Sequence, residues 1–225
     1  MSTVYYTAEH WETLGELRCK AILMLEPLTR SHIQAFVYGS VSRGDVHAGS
    51  DIDVFIPTPP APGILEVQIE RAGYNIQNKE IIQATPSFAA KGYIYVDDNS
   101  SYSFPLTEMK TVEQEFYMFA GRTSQQDLET NTRKPGVDKR LMLIEPTEGG
   151  HFESLIQGRE DTVAKLLNIQ VQTVRDRVQT LLRREHVGRT GVYLKSTLNL
   201  DESFGEKMET LSRTRPALRR KQRRK

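Results

Sequence analysis

The segment from residue 51 to residue 56 restricts the fold of this chain more than any other part of the sequence. Its aliphatic residues alternate with two aspartates and a phenylalanine, in the order Asp51, Ile52, Asp53, Val54, Phe55 and Ile56. Because successive side chains of a β-strand point to opposite faces, this alternation predicts a strand with one buried aliphatic face. Asp51 and Asp53 then lie together on the other face.

Apolar patterns on both sides of this strand predict more of the same sheet. Spacings of three and four residues predict helices at Ala8 to Leu28 and at Ile64 to Ala72. Short apolar or alternating runs predict further strands at Ile33 to Tyr38, Ile81 to Thr85, Tyr93 to Asp97 and Tyr102 to Leu106. We therefore expect an α/β (α+β) fold with a five-stranded mixed sheet flanked by helices.

The paired aspartates and an upstream turn suit the binding of a metal and a phosphate. Hard cations such as Mg²⁺ prefer carboxylate oxygens, and two close carboxylates repel each other unless a divalent ion lies between them. Gly39 and Ser40 predict a turn where the backbone can approach a phosphate and offer amide protons and a hydroxyl. Arg43 is within reach either of a phosphate or of Asp45, and we expect it to bind the phosphate.

The run from Phe36 to Ile56 joins these features at a defined spacing. An apolar strand ends in Gly39 and Ser40, about ten residues follow, and Asp51 and Asp53 then alternate with apolar residues. This pattern resembles the signature of the DNA polymerase beta-like nucleotidyltransferase superfamily. The resemblance implies metal-dependent transfer of a nucleoside monophosphate from a nucleoside triphosphate (NTP) to an acceptor, with release of pyrophosphate. It also implies that Gly39 and Ser40 hold phosphate and that Asp51 and Asp53 hold Mg²⁺ or Mn²⁺.

The same resemblance implies a third metal-binding carboxylate on a later strand, near the acceptor. Asp97 is the residue that we expect in this role, because it ends the strand from Tyr93 at a suitable distance downstream. Asp98 and Glu80 are its rivals, and none of the three lies between apolar residues as the superfamily pattern requires. Reduced or lost activity is therefore an open alternative.

The C-terminal part of the chain has a different pattern. A short helix that includes Val163 to Leu167, a turn at Asn168, and a second helix at Val171 to Arg184 resemble a helix-turn-helix. Glu185 to Leu194 contains two glycines between apolar ends, which predicts a two-stranded wing. The second helix would expose residues suited to phosphates and base edges, namely Gln170, Gln172, Thr173, Arg175 and Arg177.

These patterns predict three consecutive domains. They are a nucleotidyltransferase domain at residues 1–145, a winged helix-turn-helix-like domain at 146–204 and a disordered basic tail at 205–225. The stretch from Arg213 to Lys225 carries eight Lys or Arg and no acidic residue, although the formal net charge of the whole chain is only +1. Such a tail attracts phosphates without reading their sequence, so DNA or RNA is the expected partner besides NTP.

Composition restricts the cellular compartment in which we expect the protein, and the motifs leave two alternative functions open. The single cysteine, Cys19, excludes an internal disulfide and is expected in the core, and no apolar run approaches the length of about 18 residues that spans a bilayer. We expect a cytoplasmic protein. The first alternative to the enzyme is a DNA-binding regulator or antitoxin-like protein whose transferase domain senses nucleotide with little or no turnover. The second is a structural RNA-binding protein that uses the wing and the basic tail.

Overall fold

A computed structural model of the chain describes residues 2–188 and 191–222. The helices are α1 Ala8–Arg30, α2 Ser40–Arg43, α3 Pro62–Arg71, α4 Thr111–Phe119, α5 Gln125–Glu129, α6 Glu160–Leu167, α7 Val171–Val187, α8 Phe204–Thr214 and α9 Pro216–Gln222. The strands are β1 Ser2–Tyr5, β2 Phe36–Tyr38, β3 Ile52–Phe55, β4 Asn78–Gln83, β5 Ala90–Asp97, β6 Ser100–Pro105, β7 Arg122–Thr123, β8 Gly136–Val137, β9 Met142–Thr147, β10 Gly150–Leu155 and β11 Leu194–Leu198. The mixed α/β fold class with sheets and helices is confirmed.

The chain divides into two compact units that are interleaved along the sequence. The first unit contains residues 1–23, 36–52 and 114–190, and the second contains residues 24–35, 53–113 and 191–225. The division falls within α1 and at β3. It therefore does not follow the consecutive domain boundaries at residues 145 and 204 that the sequence patterns predict.

The second unit is built on a sheet in which β11, β4, β5, β6 and β3 are neighbours in that order. Buried and partly exposed residues alternate along β5, so Gly92, Ile94 and Val96 face the core while Tyr93 and Tyr95 lie on the other face. A Cβ atom at Gly92 would lie 2.6 Å from Cζ of Phe104, so a larger residue would displace that ring.

The segment after residue 203 folds onto this sheet, and the prediction of a disordered tail is wrong for residues 205–222. Ser203 and Glu206 form a capping box at the start of α8. Phe204 is fully buried, and its ring packs edge-on against Phe104 with centroids 5.1 Å apart. Met208 and Leu218 are buried as well. Residues 223–225 lie outside the described part of the chain.

The first unit contains a second sheet, with the strand order β1, β10, β9 and β8. The apolar run from Leu141 to Ile144 predicts part of β9, whereas the sequence patterns do not predict β1 or β10. Helices α6 and α7 contribute to an apolar core together with residues of α4 and of this sheet. Its buried members are Phe119, Val137, Leu141, Leu143, Ile156, Val163, Ala164, Leu167, Val174 and Val178.

The helix pair of the proposed helix-turn-helix is present, but the wing is not. Helices α6 and α7 are joined through Asn168, which adopts the left-handed conformation with φ 53° and ψ 51°. Helix α7 extends to Val187, through the region where the wing would begin. The strand that follows, β11, pairs antiparallel with β4 rather than with a second wing strand. The prediction of a wing is thus wrong for the described residues, and Arg189 and Thr190 lie outside them.

Two neighbouring residues of α1 have the opposite of the burial expected from their side chains: the cysteine is exposed and the arginine is buried. Cys19 is exposed, so its expected place in the core is wrong. The neighbouring Arg18 is only 3 % exposed, because it lies one helical turn after the buried Leu14. Within residues 2–188 and 191–222, no helix has both the length and the apolar character needed to cross a membrane.

The docking of α8 predicts a measurable loss of stability in Phe204→Ala. Truncating a fully buried phenylalanine leaves a cavity and typically lowers the free energy of unfolding by about 3 to 5 kcal/mol. Leu200→Ala is the matched control, since Leu200 is 62 % exposed four residues earlier. Urea denaturation of both variants compares the two effects. Equal, small changes would show that α8 is not part of the folded core.

Candidate active site

The turn between β2 and α2 requires glycine at its first position. Gly39 has φ +88°, a conformation that L side chains rarely adopt. Apart from its two chain neighbours, no atom of the described residues lies within 4 Å of the position a Cβ would take. Its amide donates to the carbonyl of Gly121 at 2.9 Å, and its carbonyl accepts from the amides of Ser42 and Arg43, each at 3.1 Å. The turn is therefore fixed by its backbone, and the space beside Gly39 is open.

The two serines of this turn have different environments. Ser42 is buried, and its hydroxyl donates to the carbonyl of Val37 at 2.8 Å and lies 2.8 Å from Oγ1 of Thr123. Ser40 is half-buried, and its hydroxyl forms no hydrogen bond within the described part of the chain. Ser40 is thus the serine whose hydroxyl remains available to a ligand.

A buried arginine holds the carbonyl end of α2. Arg18 donates from Nε to the carbonyl of Val41 at 3.2 Å, and from Nη2 to the carbonyls of Ser42 and Thr132 at 3.3 and 3.0 Å. Burial lowers the pKa of Arg18 to about 10, so the guanidinium remains charged at neutral pH. The sequence does not distinguish Arg18 as a functional residue, because an arginine within a helix normally predicts an exposed side chain.

Of the two partners expected for Arg43, the structure shows Asp45. Nη2 of Arg43 lies 2.8 Å from Oδ2 of Asp45, and Nη1 donates to the carbonyl of Ala120 at 2.6 Å. Arg43 is only 5 % exposed. Its guanidinium is therefore used inside the first unit, and the structure does not support its expected contact with phosphate.

Asp51 stands directly before β3 and is exposed. Its carboxylate has neither a hydrogen bond nor an ion pair within residues 2–188 and 191–222. Ile52, the residue between the two aspartates, is 1 % exposed and anchors this part of the chain in the core, as the alternation predicts. Asp51 is therefore a charged group on a fixed backbone, available to a cation.

Asp53 lies on β3 itself and is half-buried. Its Oδ1 accepts a hydrogen bond of 2.9 Å from the hydroxyl of Ser101 on β6. Asp53 also acts on Tyr93, whose pKa rises to about 12, mainly through burial and to a smaller extent through this carboxylate. The side chain that touches Asp53 from β6 is thus a neutral serine and not a third carboxylate.

Asp97 does not complete a metal site with the two aspartates. It ends β5, and its Oδ1 accepts a 2.9 Å hydrogen bond from the amide of Asn99, which stabilises the turn to β6. Within the described part of the chain, no group of three His, Cys, Asp or Glu residues is placed to hold a metal ion. The expected three-carboxylate site is therefore not formed, because Asp97 belongs to a turn.

The two rivals of Asp97 do not replace it. Asp98 is exposed in the same turn. Glu80 on β4 is 4 % exposed, accepts from the hydroxyl of Tyr95 at 3.2 Å and lies 3.1 Å from Nζ of Lys195. Its charge is thus balanced by a lysine of β11.

The expected recognition helix, α7, directs part of its proposed reading surface inward. The carboxylate of Glu115 accepts from the amide of Gln170 at 3.1 Å and from the hydroxyl of Thr173. Arg177 stacks over the ring of Phe116 at 4.7 Å. Two further expected base readers are paired as well: Gln172 donates to Asp176 at 2.6 Å, and Arg175 lies 3.6 Å from Asp161. Docking against α4 therefore occupies the start of this helix.

A family model described as "Nucleotidyltransferase domain" matches residues 24–111. The matched segment contains Gly39, Ser40, Asp51 and Asp53 and covers less than half of the chain. The match supports the assignment of the N-terminal part to the nucleotidyltransferase superfamily, and with it general nucleotidyl transfer. No curated protein matches the chain.

A buried polar network lies beside the segment that carries Asp45. The hydroxyl of Tyr6 is 2.7 Å from Nδ1 of His151, and Nε2 of His10 is 2.7 Å from the carbonyl of Gly44. Burial and the charge of Asp45 raise the pKa of Tyr6 to about 12. Burial also lowers the pKa of His151 below its ordinary value of 6.5, against smaller opposing effects of Asp45 and Glu153.

This network predicts a stability that falls in mild acid. Below pH 6.5 the unfolded chain takes up a proton at residue 151, whereas buried His151 stays neutral until its lower folded-state pKa is reached. Above pH 6.5 both states are neutral and this contribution is constant. In urea unfolding between about pH 5 and 8, His151→Gln should reduce the pH dependence. His47→Gln, at an exposed position, should keep it, and equal slopes in both variants would contradict the assignment.

Proposed function

We propose that this chain is a metal-dependent nucleotidyltransferase that moves a nucleoside monophosphate from an NTP to an acceptor hydroxyl. The observation that carries the proposal is the pair formed by Asp51, directly before a core-anchored strand, and Asp53, on that strand, downstream of a turn with open space at Gly39 and an available hydroxyl at Ser40. In the reaction the acceptor oxygen bonds to the α-phosphorus and the bond to the bridging oxygen breaks. Pyrophosphate leaves, and the hydroxyl proton passes to solvent.

The residues present fit a magnesium or manganese ion that binds together with the NTP. Mg²⁺ in proteins is commonly held by one or two carboxylates plus substrate phosphates and water, so a third carboxylate is not required. Asp51 and Asp53 would hold the ion, which neutralises charge on the phosphate oxygens when bound. Ser40 would donate its hydroxyl to a phosphate, and Gly39 would let that phosphate approach the backbone. Arg18 keeps α2 in place and acts as a positioning residue.

DNA or RNA is the proposed partner besides NTP. Exposed arginines at the end of α7 and on α9 support this partner, namely Arg183, Arg184, Arg219 and Arg220. Clustered guanidinium groups attract phosphates without reading a sequence, and the attraction weakens as salt rises. A further exposed cation on β11 is Lys195.

Substitution of both aspartates by asparagine tests the proposed reaction. The doubly substituted protein, with Asp51→Asn and Asp53→Asn, keeps the shape of both side chains and loses both charges. We expect transfer from labelled NTP to pooled RNA, DNA and protein acceptors to fall by at least about a hundredfold, since the loss removes charge stabilisation at the reacting phosphate. The transfer is measured in reactions that contain Mg²⁺ or Mn²⁺, by separating the labelled products on a gel. Unchanged transfer would exclude these carboxylates as the site.

Asp97→Asn is the matched control, because asparagine can still accept the hydrogen bond from Asn99. We expect transfer to change by less than about threefold if Asp97 only stabilises its turn. A loss as large as that of the double variant would instead establish Asp97 as the third carboxylate of the site.

The second candidate function is a DNA-binding or antitoxin-like regulator that senses nucleotide with weak or no turnover. The contact between Ser101 and Asp53 favours it, since a neutral side chain stands beside the metal-binding carboxylate. NTP binding that depends on Asp51 and Asp53, combined with no transfer to any acceptor, would select this function over the enzyme.

The two-carboxylate site also predicts the order of metal binding. Without NTP, only Asp51 and Asp53 contribute charge, so Mn²⁺ should bind weakly. With a nonhydrolysable NTP analogue, the phosphates supply further oxygen ligands, and the apparent affinity should rise by at least about tenfold. Electron paramagnetic resonance of free Mn²⁺ measures both affinities. Equal affinity with and without the analogue would indicate a complete metal site that does not need the substrate.

A further inference from the structure

A strip of polar side chains runs across one face of the sheet in the second unit, beginning at Asp53. We define this polar strip by its members Asp53, Ser101, Tyr95, Glu80 and Lys195. Ser101 donates to Asp53 at 2.9 Å and is paired across the ladder with Tyr95. The hydroxyl of Tyr95 donates to Glu80 at 3.2 Å, and Glu80 lies 3.1 Å from Lys195. The strip thus extends across five strands, from a proposed metal-binding carboxylate to an exposed lysine.

Two tyrosines with nearly parallel rings lie on this face. Tyr93 and Tyr95 are both half-buried on the same face of β5, with ring centroids 6.3 Å apart and planes inclined by 16°. Tyr93 lies opposite Glu80 and Ser103 in the ladder. Since the hydroxyl of Tyr95 is held by Glu80, its ring orientation is set before any ligand binds, which lowers the entropic cost of stacking.

Cations at the two ends of the strip offer contacts to an anionic backbone, while the carboxylates that act on the tyrosines are Asp53 and Glu80. Lys195 balances Glu80, yet its own side chain is 59 % exposed. Nζ of Lys91 lies over the ring of Phe55 at 5.6 Å, on the strand that carries Asp53. At the other edge, Arg215 lies 6.0 Å from the ring of Tyr193, directly before β11. Aromatic rings combined with cations along a sheet are typical of surfaces that bind single-stranded nucleic acid.

We propose that the polar strip, together with Tyr93, is the acceptor subsite, and that it binds the unpaired terminal nucleosides of a single-stranded nucleic acid. The inference rests on the proposed function, because it takes Asp53 as part of the reacting centre. Bases stack on the two tyrosine rings, and a terminal hydroxyl lies on the side of the strip toward Asp53. Only unpaired bases expose the faces that such stacking needs, so a duplex without an overhang is a poor ligand.

The first test measures binding of a fluorescent single-stranded RNA decamer without NTP or metal. A base stacked on an aromatic ring contributes roughly 1 to 3 kcal/mol, so the double variant of Tyr93→Leu with Tyr95→Leu should bind at least about fivefold more weakly. The double variant of Tyr93→Phe with Tyr95→Phe keeps the rings but loses the hydrogen bond to Glu80, so its binding should weaken less than that of the leucine variant. Tyr5→Leu, at a tyrosine that is 79 % exposed in the first unit, is the surface control.

A second measurement on the wild-type protein avoids any loss of folding in the leucine variant. An RNA ending in 4-thiouridine is irradiated on the protein, and the cross-linked peptides are identified by mass spectrometry. We expect cross-links to residues 91–95. Cross-links confined to α7 or α9 would overturn the proposal, as would equal affinity for a blunt duplex or for an oligonucleotide with abasic ends.

These outcomes are separable from failure of the proposed function. If the leucine variant loses RNA binding while wild-type protein shows no transfer, the subsite stands and the enzymatic function fails. If label is transferred to a protein acceptor and the leucine variant transfers normally, the enzyme stands and the acceptor subsite is wrong.

Discussion

The proposed metal site depends on the hydrogen bond from Ser101 to Asp53. Asp51 directly before β3 and Asp53 on it are separated by one residue, and like charges at such spacing destabilise the folded chain. A hydroxyl from β6 satisfies one carboxylate oxygen without adding a third charge. In the proposed function, the two carboxylates bind a cation that arrives with a polyanionic substrate. The same hydrogen bond places Asp53 at one end of the polar strip, so the proposed metal site and the proposed acceptor subsite share one contact.

Local patterns were sufficient to predict the elements that carry the site, but not the partners of their side chains. The alternation at residues 51–56 and the glycine at 39 have local causes, namely strand geometry and a positive φ, and both are seen in the structure. The third carboxylate could not be predicted, because it depends on which later strand lies beside β3. That strand is β6, whereas Asp97 ends β5. Likewise, nothing local decides between a phosphate and Asp45 for Arg43.

Errors at the C-terminus have two different physical origins. The capping box of Ser203 and Glu206, followed by apolar residues at helical spacing, was a local signal for α8 that the basic composition of the tail obscured. The strand β11 could not have been assigned in this way. Two glycines between apolar ends are compatible both with a hairpin wing and with a loop that leads to a distant strand. The pairing of β11 with β4 depends on contacts between residues far apart in the sequence.

The contacts of α7 and of β5 favour the sheet over the helix as the place of the proposed nucleic-acid binding. Helix α7 commits Thr173 to Glu115 and Arg177 to Phe116, and these contacts stabilise the first unit through groups that base reading would need. Burial lowers the pKa of Arg177 to about 10, as expected for a guanidinium that has left water for an aromatic surface. Unlike Arg177, Tyr93 and Tyr95 have rings that remain partly exposed, and Glu80 holds the hydroxyl of Tyr95 in place. A preorganised and accessible ring can bind a base at little entropic cost, whereas an arginine already stacked on phenylalanine must first break that contact.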